Sequence, residues 1–128
     1  MNFLSKFEPL VYALMRIIVG LLFTCHGAQK LFGSFGGIDG HGGHVTSAQI
    51  WFFAGGIIEF VAGILVAVGF FTRIAAFIAS GQMAVAYFKY HAGSGFFPIQ
   101  NEGELAVVYC FIFLYIATRG TGKFGIQK

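Results

Sequence analysis

The sequence predicts an all-α protein, a bundle of four transmembrane helices with both termini on the cytoplasmic side. Three observations carry that expectation. Hydrophobic residues make up 57% of the 128-residue chain and charged residues only 10%, with a mean hydropathy of +0.79, whereas charged residues are about a quarter of a soluble protein. The 17 phenylalanines and 19 glycines suit helices that face lipid and approach one another closely. Apolar residues fall into four runs separated by glycine, proline and charge, which read as one domain over residues 1–128. The net charge of +3 is scattered over helix ends, so it reads as a topology signal and not as a nucleic-acid surface.

The first helix is expected over about residues 6–32. Ser5 and Glu8 have capping-box spacing, Pro9 is tolerated in a first turn, and Gly33 stops the run. It is too long for a signal-peptide core and lacks a small-residue cleavage site after it. The second is expected over residues 47–70, with Thr46 and Gln49 as a second capping box and Glu59 as its only charge. A third, over residues 72–91, follows with almost no loop and has Gln82 as its one strongly polar interior residue. The fourth, over residues 101–118, begins with Asn101 and Glu104 in capping-box spacing and stops before Gly120. Its uncharged run is short, so its first turn is placed near an interface.

An even number of spans puts both termini on one side. That side collects Lys6, Arg73, Arg119, Lys123 and Lys128 against Lys30 and Lys89 on the other, so the positive-inside rule makes it cytoplasmic. The expected location is the inner (plasma) membrane. The loops from Gly33 to Gln49 and from His91 to Gln100 then face outward, with all four histidines in or near that half.

Charged residues inside a span are costly and serve as site hypotheses. Arg16 shares a face with Gly20 and Gly27, while Glu59 recurs with Gly55, Gly63 and Ala67 every fourth residue. Small-residue faces are packing faces, so both charges are expected to point inward. Counting from the cytoplasmic ends gives them similar depth, and an ion pair is the expected solution. With Gln82 the pair would line a polar pocket; the alternative is an internal bolt that fixes register. A second cluster is expected nearer the outer surface. His26 and Lys30 lie one helical turn apart, with Tyr87, His91 and Glu104 at similar heights. Glu59 and His26 are the candidate proton-handling groups. Cys25 and Cys110 lack CxxC spacing and differ in depth, so no disulfide is expected. His41 and His44 in the glycine-rich loop lack further ligands, so no metal site is expected.

The run His26-Gly27-Ala28-Gln29-Lys30-Leu31-Phe32-Gly33 followed by Phe35-Gly36-Gly37 resembles the signature of the DoxX family of small four-helix membrane proteins. Glu59-Phe60 with Gly63 and Gly69, Thr72-Arg73-Ile74-Ala75-Ala76, Met83, Phe96-Phe97-Pro98 and Asn101-Glu102-Gly103-Glu104-Leu105-Ala106 agree in the same order. Ala62 stands where a second glycine is common, and Glu102 where the family often has glycine. The resemblance implies a four-helix membrane bundle. It also implies a small subunit of a quinone-linked oxidoreductase, such as thiosulfate:quinone oxidoreductase, or a membrane part of an oxidative-stress complex.

The expected function is accordingly a quinone-linked oxidoreductase subunit with a lipid quinone as ligand and no intrinsic cofactor. The chain has no haem-ligand arrangement, cysteine cluster or nucleotide-binding glycine motif, so a partner protein must supply electrons. Small residues on more than one helix face also permit a homo-oligomer. A small-solute transporter or channel and a non-catalytic membrane anchor are the alternatives.

Overall fold

The computed structural model describes residues 2–46 and 48–127. Ser47, at the expected start of the second span, and Lys128, one of the counted charges, lie outside them. The protein is all-helical, with a single isolated bridge between Gly37 and Gly43 among the described residues. The helices are α1 (Asn2–Ser5), α2 (Glu8–Phe32), α3 (Ile50–Val68), α4 (Thr72–Ala86), α5 (Pro98–Asn101) and α6 (Glu104–Arg119). Of these, α2 and α3 are long and apolar enough by themselves to cross a membrane. A π turn, Tyr87–His91, prolongs α4, so the expected third helix is α-helical only to Ala86.

The ends of the helices follow local chemistry. Pro9 sits in the first turn of α2, and Gly33 closes it at φ 72°, donating its N–H to Ala28 O. Gly69 ends α3 in the same left-handed conformation, at φ 73°, where a Cβ is disfavoured. Two expected capping boxes are corrected. Ser5 Oγ donates back to Asn2 O and the Glu8 carboxylate pairs with Arg119. Asn101 Oδ1 accepts from Gly103 N–H at 2.9 Å, leaving Gly103 to cap α6. Around Thr46 the outcome is half a box. Gln49 Oε1 accepts from Thr46 N–H at 3.1 Å, but Gln49 itself is the cap of α3.

The antiparallel helices α2 and α3 are held together by the small residues at their interface. A Cβ added at Gly20 would lie 2.6 Å from Ala67 N and 2.7 Å from Gly63 O, and one at Gly63 would lie 2.6 Å from Thr24 N. Farther up, a Cβ at Gly27 would meet Phe60 Cα at 2.7 Å. The two backbones therefore touch, which is how membrane helices gain contact where lipid removes the hydrophobic drive. On the other side Phe23 meets Tyr109 and Phe113 of α6, with ring centroids 5.4 and 4.7 Å apart. The helices α4 and α6 join through Ser80 Oγ, which donates to Cys110 O at 2.7 Å. Both Cys25 and Cys110 are free thiols. Large apolar side chains such as Ile18, Val61, Phe77 and Phe111 face outward, an apolar exterior suited to lipid.

At one end the C-terminal segment after α6 folds beneath the helices. Tyr12 Oη donates to Gly120 O at 2.6 Å, Thr121 Oγ1 donates to Thr72 Oγ1 at 2.8 Å, and Ile126 and Gln127 donate their N–H groups to Val68 O and Gly69 O. Arg73 donates to the last carbonyls of α6, those of Ala117, Thr118 and Arg119, a favourable place for a cation. At the opposite end the loop after α2 is folded on Asp39, whose carboxylate accepts from the N–H groups of His41 and Gly43. Those two donors hold its carboxyl below the ordinary carboxylate range.

The α2–α3 contact leaves no room for a methyl group at Gly20. Gly20→Ala is expected to lower stability by roughly 1–3 kcal/mol through overpacking, read as an earlier unfolding midpoint in detergent.

Candidate functional site

Glu59 is the centre of the site. Only 1% of it is exposed, and both carboxylate oxygens accept from Lys30 Nζ, each at 2.6 Å. Gln82 Nε2 donates to Glu59 Oε2 at 3.0 Å, so α2, α3 and α4 meet on one carboxylate. Geometry explains why Lys30 reaches it. The Cα–Cβ bonds of a helix tilt toward its N-terminus; in two antiparallel helices, Lys30 on α2 and Glu59 on α3 therefore lean toward each other.

Arg16 does not pair with Glu59, and that expectation is corrected. The interface contacts set Glu59 level with about Ala28. Arg16 is twelve residues earlier on the same helix, or roughly 18 Å away along the axis, and it leans the other way. Fully buried, it donates from Nη2 to Lys123 O at 3.2 Å and to Phe124 O at 2.9 Å. Gly69 and Gly125 crowd its Nη1, while its Nε and Nη1 have no hydrogen-bond partner among the described residues. Both charges point inward, but each finds its hydrogen-bond partners in its own neighbourhood. Counting depth from assumed helix ends misplaced them. Gly20 and Gly27 are seven apart, as are Gly56 and Gly63, and aligning those pairs antiparallel was the signal available for the true register.

Above the carboxylate lies a polar pocket of about 220 Å³ lined by His26, Lys30, Glu59, His91, Glu102 and Tyr109, with Phe23 and Met83 beneath. The His26 and Tyr109 rings meet edge to face at 6.0 Å. The π turn after α4 carries His91, whose Nδ1 lies 3.0 Å from Asn101 O; π turns recur at functional sites. Tyr87 stands behind the wall, where its Oη accepts from Asn101 Nδ2 at 2.9 Å and its ring stacks on His91. Glu104 is exposed and does not line the pocket, because it begins α6 with its side chain outward. Glu102 takes its place. It adopts φ +60°, a conformation glycine reaches without penalty and other residues at a cost of about 1–2 kcal/mol.

On the other side of Gln82 a second cavity opens, an apolar groove of about 370 Å³ between α3 and α4. Trp51, Ile58, Phe77 and Val85 line it, Lys89 stands at its mouth, and Gln82 and Gly55 form part of its wall. Lys89 Nζ lies 4.7 Å from the Trp51 ring centroid, a cation–π contact at the outer end. Composition gave no sign of this groove, because its lining residues look like ordinary lipid-facing positions. Glu59 thus stands between a polar pocket and an apolar groove, and it is the only acidic group among those lining either that is fully buried. A carboxylate so placed, held by one cation and one amide, can hand a proton between the two sides.

Together the fold and this site define a membrane protein of small helical type. The sequence profile of the DoxX family matches residues 11–92, and the chain belongs to that family. It is 44% identical to a Haemophilus influenzae (strain Rd) protein described as uncharacterized, an alignment covering all of this chain and 96% of that protein. No solved structure matches significantly.

Removing Lys30 alone strands a buried carboxylate. Lys30→Met is expected to destabilise the protein by roughly 3–5 kcal/mol, and Lys30→Met combined with Glu59→Met to recover most of that loss, both read from unfolding in detergent. Arg16→Met is expected to free the C-terminal segment, seen as faster hydrogen exchange over residues 121–127 with the exchange of Lys30 and Glu59 unchanged.

Proposed function

We propose that this chain is the small membrane subunit of a quinone-linked oxidoreductase, of the thiosulfate- or oxidative-stress-linked kind, and that a partner protein supplies its electrons. In this reading all four long helices cross the inner membrane as a four-helix bundle, with both termini in the cytoplasm. The charge distribution supports the topology. Lys6, Arg73, Arg119 and Lys123 gather at one end, and Lys30 and Lys89 at the other. The shorter α4 reaches a spanning length once its π turn is added, at about 1.5 Å per residue.

The observation that carries the functional reading is the place of Glu59 between the two cavities. The groove fits a lipid-soluble quinone: it is apolar, opens on the outward faces of α3 and α4, and has one amide in its wall. A quinone supplies a two-electron, two-proton couple when bound. Gln82 would orient its head group, Glu59 would hold or release a proton at Oε2, and His26 and His91 would pass that proton to the outer side. Lys30 keeps the carboxylate in place. The transport reading has less support, since the polar pocket ends on Phe23 and Met83, which are 1% and 8% exposed.

The test is mass spectrometry of gently solubilised protein. Lipid quinone is expected to copurify with the wild type and to be retained several-fold less by Glu59→Gln. Absence of quinone from both would remove this reading.

A further inference from the structure

The two histidines that line the polar pocket are held differently. His91 Nδ1 lies 3.0 Å from the main-chain oxygen of Asn101. A carbonyl oxygen can only accept, so this contact is a hydrogen bond only when Nδ1 carries the hydrogen. The neutral ring is then the Nδ1–H tautomer, and Nε2 is its one free lone pair. Among the described residues the imidazoles with a hydrogen bond are those of His44 and His91. His26 has none and meets Tyr109 edge to face, so no described neighbour selects one of its tautomers.

The side chain of Asn101 fixes where that carbonyl stands. Asn101 is the last residue of α5 and is buried, and both polar atoms of its amide are used. Its Nδ2 donates to Tyr87 Oη at 2.9 Å and to Gly95 O at 3.1 Å, and its Oδ1 accepts from Gly103 N–H at 2.9 Å. Gly103 closes the cage, since a Cβ there would lie 2.7 Å from Tyr87 Cε1 and 2.8 Å from Asn101 Oδ1. Tyr87 and His91 open and close the π turn, and their rings stack. The residue that the Asn101 amide holds and the ring that its carbonyl holds therefore belong to one unit.

We propose that Asn101 is a positioning residue that makes His91 a proton acceptor with a single port, Nε2. A proton enters at Nε2, giving an imidazolium with hydrogen on both nitrogens. It leaves again from Nε2, because the hydrogen on Nδ1 faces a peptide carbonyl, which is far too weak a base to take it. His26, with neither nitrogen committed to a described residue, can gain a proton at one and release a proton from the other. The inference rests on the proton route proposed above and divides it: His26 conducts, while His91 stores a proton and returns it. The other titratable groups lining the pocket are Lys30, Glu59, Glu102 and Tyr109, and Tyr87 faces the His91 ring from behind.

The test is NMR of the ring nitrogens in the histidine-labelled full chain in lipid nanodiscs, at a pH where the rings are neutral, because protonated and bare ring nitrogens resonate far apart. His26→Gln and His91→Gln assign the signals. In the wild type His91 is expected to favour the Nδ1–H tautomer by about tenfold, the ratio that one buried hydrogen bond sets, and His26 to populate both tautomers. Asn101→Ala is expected to bring His91 toward such a mixture, and Tyr87→Phe, which removes one of the two Nδ2 acceptors, to move it the same way by less. A wild-type His91 with its hydrogen on Nε2, or with both tautomers equal, overturns the proposal; a single tautomer at His26 overturns the division between the two rings. An unchanged His91 tautomer in folded Asn101→Ala overturns the positioning role, and if that variant does not fold, Tyr87→Phe decides it by the same criterion. Quinone retention is read separately by mass spectrometry, so each reading can fail without the other.

Discussion

The contact between Lys30 and Glu59 depends on how near α2 and α3 can come, and most of the structure depends on that contact. Gly20, Gly27 and Gly63 let the two backbones touch, which brings a lysine and a glutamate on separate helices to 2.6 Å. Without that approach a carboxylate that is 1% exposed would face the apolar interior alone, at a cost far larger than any single packing contact. Gln82 is then fixed by its bond to the same carboxylate, and α4 is tied to the pair. The polar pocket and the apolar groove are spaces left on either side of this junction.

The other buried charge is accommodated differently. Among the described residues Arg16 has no carboxylate beside it; peptide carbonyls of the C-terminal segment take that role. A guanidinium spreads its charge over three nitrogens and accepts such partial neutralisation better than an ammonium would. The consequence is architectural. Residues 121–127 become part of the fold, pinned against Val68, Gly69 and Thr72. One charge therefore serves the junction with the cavities while the other closes the end of the molecule.

Much of the architecture was legible because membrane helices are written in composition and punctuation. Gly33 and Gly120 mark helix ends as read, whereas Gly69 ends α3 short of the expected residue 70; the small-residue stripe of Gly63 and Ala67 does face α2. Capping proved less legible. Ser5 and Asn101 have the right spacing, but each finds another partner within a few residues, since a short polar side chain takes whichever local group folding presents. Inward orientation of Arg16 and Glu59 was read from the glycine faces they share, whereas their pairing was inferred from depth alone. Residues on two helices meet according to register and side-chain tilt, and depth supplies neither.

The same limit divides the site. His26, Lys30, Glu59 and His91 border one pocket; the sequence grouped His26, Lys30 and His91 toward the outer surface but set Glu59 deeper, level with Arg16. Periodicity could not choose between Glu102 and Glu104, because a left-handed backbone at residue 102 turns one carboxylate in while the start of α6 sends the next one out. By itself the sequence determined the solvent of this protein and the family to which it belongs, since both follow from residue types taken along the chain. Only the tertiary structure decided which charge meets which and where the groove lies, because those depend on atoms that residues far apart in sequence place within a few ångströms of each other.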